Sequence, residues 1–260
     1  MTDRSAAFPS FRLDGRIALV TGAARGIGRA IALALANAGA DVAMGVRVPG
    51  TATDAVAAIT RLGRRAIEVP MDVTSLDEIQ AAVNDVVDRL GRLDILVNNA
   101  GLGPANPAEA VVEADFDLTM DVNVKGTFFA SQAAGRVMIR QGYGRIVNLS
   151  SQAGFVALPT EAIYCVSKAA VAHLTRCLAV EWGRHGVTVN AVAPTFIRTD
   201  GTAGDLADPA FEADVLERIA GVHRIGEPGD VAGGVVFLAS PAASLITGTT
   251  LLIDGGWTAR

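Results

Sequence analysis

From residue 16 to the end of the chain, short apolar runs alternate with longer segments in which apolar residues recur at helical spacing. The runs at 16–20, 42–46, 66–69, 93–97, 145–149, 187–193 and 250–253 are rich in Val, Ile and Leu and lack polar alternation. That pattern predicts strands covered on both faces, as in a parallel sheet. Between them the periodicity predicts helices over 29–38, 53–62, 115–140, 161–182, 209–220 and 228–238, with one more running from a Ser75 cap to 90. Ser75 with Glu78 three residues later reads as a capping box, while Gly39, Gly63 and Gly91 stand where helices stop. The alternation predicts an α/β fold, a doubly wound parallel sheet with helices on both faces. Right-handed crossovers give the strand order 3-2-1-4-5-6-7 and put ligands at the carboxyl ends of the strands.

With 50% hydrophobic residues in 260 the chain can bury one large core, and no Pro/Ser-rich linker or charge block divides it. We expect a single domain, 1–260. Residues 1–13 form a polar tail whose Phe8 and Phe11 are expected to pack on the domain surface. No leader-like apolar segment follows the first residues and no run reaches the ~18 apolar residues of a membrane span, so a cytoplasmic protein without a membrane partner is expected. A net charge of −5 without a basic stripe argues against nucleic acid. Cys165 and Cys177 have no neighbours at metal-ligand spacing, so reduced thiols and no metal are expected.

Candidate chemistry gathers in 148–168. A strand ends in Ser150-Ser151, a loop containing Gly and Pro follows, and the next helix carries Tyr164 and Lys168, four apart and so on one face. A phenol with a free pKa near 10 is a poor acid or base at neutral pH, and a cation one turn away favours the phenolate. On that reasoning Lys168 is expected to lower the Tyr164 pKa. Near the N-terminus the first strand runs into Thr21-Gly22-Ala23-Ala24-Arg25-Gly26-Ile27-Gly28 and a helix. Glycines in such a turn let the backbone approach a pyrophosphate, which the helix N-terminus attracts. Asn98-Asn99-Ala100-Gly101 follows the fourth strand, and Asn123 lies among apolar residues in the long helix.

In combination and order these motifs, continued by Pro194 and Asp254-Gly255-Gly256, resemble the short-chain dehydrogenase/reductase family in its single-domain branch, over nearly the whole chain. The resemblance implies the Rossmann fold and hydride transfer between a nicotinamide cofactor and a secondary alcohol or ketone. It implies Tyr164 as acid/base, Lys168 as the group that lowers its pKa and binds the nicotinamide ribose, Ser151 as hydrogen-bond partner of the substrate oxygen, and Asn123 as a residue that perturbs its helix and holds a proton-relay water linking Lys168 to solvent. The cofactor surface it implies comprises Gly22, Arg25, Gly26, Ile27, Gly28, Arg47, Asp72, Val73, Asn99, Ala100, Gly101, Tyr164, Lys168, Pro194, Ile197 and Thr199. For Asp72 two roles stand side by side: facing the adenine, or bonding the amides of its own turn. Thr195 stands where the family usually has Gly, which removes freedom for a positive φ.

The segment 195–224 reads as a substrate lid. Its weakly acidic balance favours a small sugar, polyol or ketone over a 3-oxoacyl thioester on an acidic carrier protein; a cofactor-binding sensor without catalysis is a further alternative. At the end of the second strand, where NAD enzymes of the family usually carry Asp, stands Val46, followed by Arg47. NADP is therefore expected over NAD, with both usable. The family's habit and the many-sided apolar helix 161–182, with 251–253 and Trp257, point to a homotetramer.

Overall fold

The computed structural model describes residues 9–259, so Phe8 lies outside the described residues. Seven strands form one parallel sheet in the order β3-β2-β1-β4-β5-β6-β7. They are β1 (Ile17–Thr21), β2 (Asp41–Val46), β3 (Ala66–Pro70), β4 (Ile95–Asn98), β5 (Gly144–Leu149), β6 (Val187–Pro194) and β7 (Thr250–Ile253). The helices are α1 (Gly26–Asn37), α2 (Thr53–Arg61), α3 (Leu76–Leu90), α4 (Glu113–Met120), α5 (Thr127–Gln141), α6 (Ala162–Trp182), α7 (Pro209–Arg218) and α8 (Pro228–Ala239).

Strand β1 explains the unbroken apolar runs. Ala18 and Val20 point into one core with Ile31 and Leu35 of α1, Ile59 of α2 and Val235 and Leu238 of α8. Ile17 and Leu19 point into the opposite core with Val83 and Val86 of α3, Met138 of α5 and Leu178 of α6. Both faces of each central strand are covered, so apolar residues occupy both parities, and polar ones such as Asn148 and Asn190 are buried in hydrogen bonds, to Thr175 Oγ1 at 2.9 Å and the Ile246 carbonyl at 2.8 Å. A third, smaller cluster joins Leu206, Val215, Ile219, Ile225 and Trp257 beyond the end of β6.

Three expectations need correction. The fourth strand pairs from Ile95 rather than 93, because the Leu93 main chain is taken by the Gln141 amide, donating to Oε1 at 3.2 Å and accepting from Nε2 at 2.7 Å. The capping box is half formed: Ser75 Oγ accepts from the Glu78 N–H at 3.3 Å, but Glu78 Oε2 accepts from Asp72 N–H at 2.8 Å instead of closing on Ser75. The long helix 115–140 is two helices joined by a π-helical turn, Asp121–Gly126.

By length and composition alone one helix, Ala162–His185 with mean hydropathy 1.2, could cross a membrane. It includes α6, whose Ser167, Lys168 and Thr175 are buried in hydrogen-bonding positions, and the helix packs on β5 and β6 as a core element. Phe11 lies against Phe237, ring centroids 6.0 Å apart, as expected of a surface contact.

Candidate active site

The corner between β1 and α1 is clamped to the end of β4. Thr21 Oγ1 accepts from the N–H groups of Asn99 and Ala100, both at 3.0 Å. Asn99 Nδ2 donates back to the carbonyls of Thr21 at 2.9 Å and Gly22 at 3.1 Å. A Cβ on Gly28 would lie 2.4 Å from both Asn99 Nδ2 and the Gly22 carbonyl, and one on Gly22 would lie 3.1 Å from Ala100 Cα. Gly22 and Gly26 hold φ of +62° and +56°, which side chains resist. Arg25 caps α1 with an extended backbone and an exposed side chain, and Ile27 is half-buried. The turn is thus a backbone-lined cradle opening onto a helix N-terminus, and its size and charge fit a pyrophosphate.

Around the cradle, Arg47 is exposed just beyond the buried Val46. Asp72 Oδ1 accepts from Thr74 N–H at 2.9 Å and from its hydroxyl at 2.7 Å, so the turn-bonding alternative is realised. These bonds to Thr74 hold the Asp72 carboxyl below its usual range, with a further contribution from Arg47 nearby. Val73 is buried with its side chain against Gly126, leaving only its main chain for a ligand. From the other side Thr199 approaches, its Cγ2 3.5 Å from where a Gly26 Cβ would be. Pro194 and Ile197 are buried, and Ile197 forms a parallel bridge with Gly226. Thr195 keeps an ordinary φ, donates its N–H to the Ile253 carbonyl at 3.2 Å and buries an Oγ1 without a partner. The substitution for Gly is therefore accommodated without backbone strain.

Ser151, Tyr164 and Lys168 converge at the ends of β5 and α6. Ser151 Oγ donates to Gln152 Oε1 at 2.7 Å and accepts from Ala153 N–H at 3.1 Å. Lys168 is buried, donates to the Leu149 carbonyl at 2.8 Å and lies 5.5 Å from the Tyr164 ring centroid. Gly103 packs flat on that ring, since a Cβ there would meet Tyr164 Cδ2 at 2.6 Å. Gly101 leaves the opening beside Lys168 Nζ, 3.2 Å from where its Cβ would stand.

The expected lowering of the Tyr164 pKa is not produced by the protein's own groups. Burial pushes the phenol up to about 12, and the Ser151 hydroxyl pulls it only partly back. The same burial takes the Lys168 ammonium down to about 8, which weakens it as a fixed cation.

Asn123 sits in the π-helical turn. Its Oδ1 accepts from Leu102 N–H at 2.9 Å, and its Nδ2 donates to the Leu102 carbonyl at 2.7 Å and to Ser167 Oγ at 2.9 Å. With the amide fully engaged, the side chain is a brace between the π turn, the segment after β4 and α6. A π turn leaves main-chain carbonyls without their usual helical donors, so a water at this position would bond the backbone.

Sequence reasoning missed Gly103, Gln152, Ser167 and Glu161, and quoted Thr21 in the glycine-turn motif without giving it a role. Gly103 lies two residues beyond a motif and was within reach of a spacing argument. Gln152 and Glu161 stand in the loop between β5 and α6 with no periodic signal.

A glycine cradle at a helix N-terminus and a Tyr-Lys pair, both at the carboxyl ends of the parallel strands, define an oxidoreductase that works on a bound nicotinamide dinucleotide. The chain belongs to the short-chain dehydrogenase/reductase family. Residues 22–258 match the family model described as enoyl-(acyl carrier protein) reductase. The chain is 41% identical over 252 residues to 2-dehydro-3-deoxy-D-gluconate 5-dehydrogenase of Escherichia coli, covering 96% of this chain and 98% of that one. It is 43% identical over 251 residues to D-threitol dehydrogenase of Mycolicibacterium smegmatis, covering 96% and 95%. The crystal structure of a gluconate 5-dehydrogenase from Burkholderia cenocepacia in complex with NADP and tartrate superposes with a TM-score of 0.93 at 37% identity, over 96% of this chain and 98% of that one.

Proposed function

We propose that the enzyme interconverts a small polyol or sugar and its ketone, with Tyr164 as the proton-transfer group. The observation that carries this reading is the convergence of Ser151, Tyr164 and Lys168 around one opening beside Gly101 and Gly103. When bound, the nicotinamide supplies the hydride acceptor and, in its oxidised form, a positive ring beside the phenol. Tyr164 takes the hydroxyl proton in oxidation and returns it in reduction. Ser151 shifts its hydrogen bond from Gln152 to the substrate oxygen and fixes that oxygen against the phenol. Lys168 uses the N–H groups not given to Leu149 to hold the ribose and the Tyr164 oxygen. Asn123 positions the π turn whose backbone carries the relay water.

The cradle Gly22, Arg25, Gly26, Ile27 and Gly28 holds the pyrophosphate; Asn99, Ala100 and Gly101, with the main chains of Asp72 and Val73, line the adenosine side; Pro194, Ile197 and Thr199 close over the nicotinamide side. NADP is preferred over NAD, because Val46 cannot accept from ribose hydroxyls and Arg47 can pair with a 2′-phosphate. The segment 195–224 serves as a lid over one catalytic domain, 1–260. Relatives named for a neutral polyol and for sugar acids support the small-hydroxyl reading, while a relative named 3-oxoacyl-(acyl-carrier-protein) reductase, 42% identical, keeps the carrier-bound thioester as the second reading. Exposed Val166, Val180 and Leu245 support assembly into a homotetramer, which static light scattering of a monomer would refute. The free thiols support a cytoplasmic setting.

Tyr164→Phe tests the catalytic reading. It keeps the ring packing against Gly103 and removes the proton, so turnover should fall by about three orders of magnitude, in the range of general acid–base catalysis, with cofactor affinity within about threefold. Retention of more than a few percent of turnover would reject the assignment.

A further inference from the structure

Glu161 stands at the entrance of α6, one turn before Tyr164, at the position where a carboxylate would ordinarily accept from the first-turn N–H groups. It caps nothing. No hydrogen bond or ion pair reaches its side chain among the described residues, although it is half-buried. Burial raises its pKa, and Asp205 of the segment after β6 raises it further. Its charge in turn raises Tyr164. The Cys165 N–H donates to the Glu161 carbonyl at 2.8 Å, so the helical pattern of α6 reaches back to Glu161 and places it, three residues before Tyr164, on the same face as the phenol.

The backbone holds Glu161 in place at a cost. Thr160 has φ +64°, a left-handed conformation that a β-branched residue rarely adopts. The strain is pinned by the Asn106 N–H, which donates to the Thr160 carbonyl at 2.8 Å, and by Asn106 Nδ2, which donates to Asp115 at 3.1 Å. Cations of 195–227 do not answer the charge. Arg198 is held by Glu212 at 3.0 Å and Glu227 at 3.8 Å, Arg218 by Asp214 at 2.8 Å and Arg224 by Asp230 at 2.7 Å. Lys168 is bonded to the Leu149 carbonyl.

We infer that Glu161 is a specificity-determining residue that accepts a hydrogen bond from a substrate hydroxyl beside the reacting carbon and turns away substrates carrying a carboxylate, so that neutral polyols and ketoses are preferred to sugar acids. A carboxylate accepts and never donates, so it is satisfied by an O–H and not by an anion. A neutral polyol brings such O–H groups on the carbons adjacent to the carbinol. An aldonate brings a further negative charge beside Glu161, and Arg198, Arg218 and Arg224 of the segment after β6 are each already held by carboxylates. This inference rests on the polyol or sugar reading proposed above and narrows it.

The test compares kcat/KM for neutral polyols of four to six carbons with that for aldonates of the same lengths, in the wild type and in Glu161→Gln. The wild type should favour the best polyol over the best aldonate by tenfold or more. Glu161→Gln keeps shape and removes charge, so it should cut that ratio at least fivefold, chiefly by lowering the aldonate KM. The KM for NADP and the melting temperature, which a merely structural role would move, should stay as in wild type. A wild type that prefers the aldonate, or an unchanged ratio in Glu161→Gln, overturns the inference and leaves the function reading standing. If neither group is oxidised while a 3-oxoacyl thioester is reduced, the function reading itself falls, and the inference with it.

Discussion

Gly28→Ala probes whether the cofactor cradle depends on backbone contact. The new Cβ would stand 2.4 Å from the Gly22 carbonyl and from Asn99 Nδ2, against the 3.4 Å of an ordinary contact. One neighbour is backbone, and the other is held by bonds of 2.9 and 3.1 Å to the carbonyls of Thr21 and Gly22. Neither can swing away as a flexible side-chain end would. Overpacking of this kind costs about 1–3 kcal/mol, and each Asn99 bond lost adds about 1 kcal/mol. Better helix propensity of Ala returns about 1 kcal/mol. The net, roughly 2 kcal/mol, falls on the turn that holds the pyrophosphate. At about 1.4 kcal/mol per factor of ten, NADPH binding should weaken ten- to a hundredfold in a fluorescence titration. The melting temperature should drop by about 5 °C. Gly233→Ala is the control: that glycine lies inside α8 with nothing within 4 Å of the added Cβ, so stability should rise by roughly 0.5–1 kcal/mol with affinity unchanged. NADPH affinity within twofold of wild type in Gly28→Ala would refute the contact argument.

Two further outcomes follow from the site. Arg47→Ala should reduce kcat/KM with NADP about tenfold or more while sparing NAD, the scale of one charge-assisted phosphate contact; equal losses with both cofactors would exclude a phosphate role. Without cofactor, Lys168 is held at about 8 instead of 10.5, so between those pH values the unfolded chain binds more protons and stability rises with pH. The limit is about 3 kcal/mol at ~1.36 kcal/mol per pH unit, and Tyr164, at about 12 against 10.0, opposes it only above pH 10. Lys168→Met should therefore be stabilised relative to wild type at pH 7.5, with the difference shrinking towards pH 9.5 in thermal melts. A pH-independent difference would show that burial of the ammonium is not what costs stability.

Strand order was legible because runs such as 17–20 are apolar at every position, which only a sheet covered on both faces requires. The glycine turn was legible for a similar reason, since its residues are fixed by backbone contacts rather than by packing choices. What escaped was set by side chains meeting across the fold. For Asp72 the sequence could not show that Thr74 engages one of its carboxylate oxygens. The break at Asn123 was implied by the family resemblance, but its brace on Leu102, 21 residues away, is encoded by no helical periodicity. The Tyr164 pKa went the other way because the spacing of four shows a cation nearby but not how far burial weakens it. Trp257 was assigned to an interface, yet it closes the small cluster with Leu206 and Ile219.

The bridge between Ile197 and Gly226, with the Arg198 N–H donating to the Gly226 carbonyl at 2.8 Å and the Gly226 N–H to the Phe196 carbonyl at 3.0 Å, makes the chain leave and re-enter the domain at one point. Between them the chain is tied down again: Leu206, Val215 and Ile219 pack on Trp257, and the N–H groups of Gly221 and Val222 both donate to the Gly255 carbonyl at 2.9 Å. Lengthening a loop costs little, about 0.6 kcal/mol for each doubling. The exposed stretches between these ties can therefore vary in length at small entropic cost, while Thr199, which reaches the cradle beside Gly26, cannot shift without disturbing it.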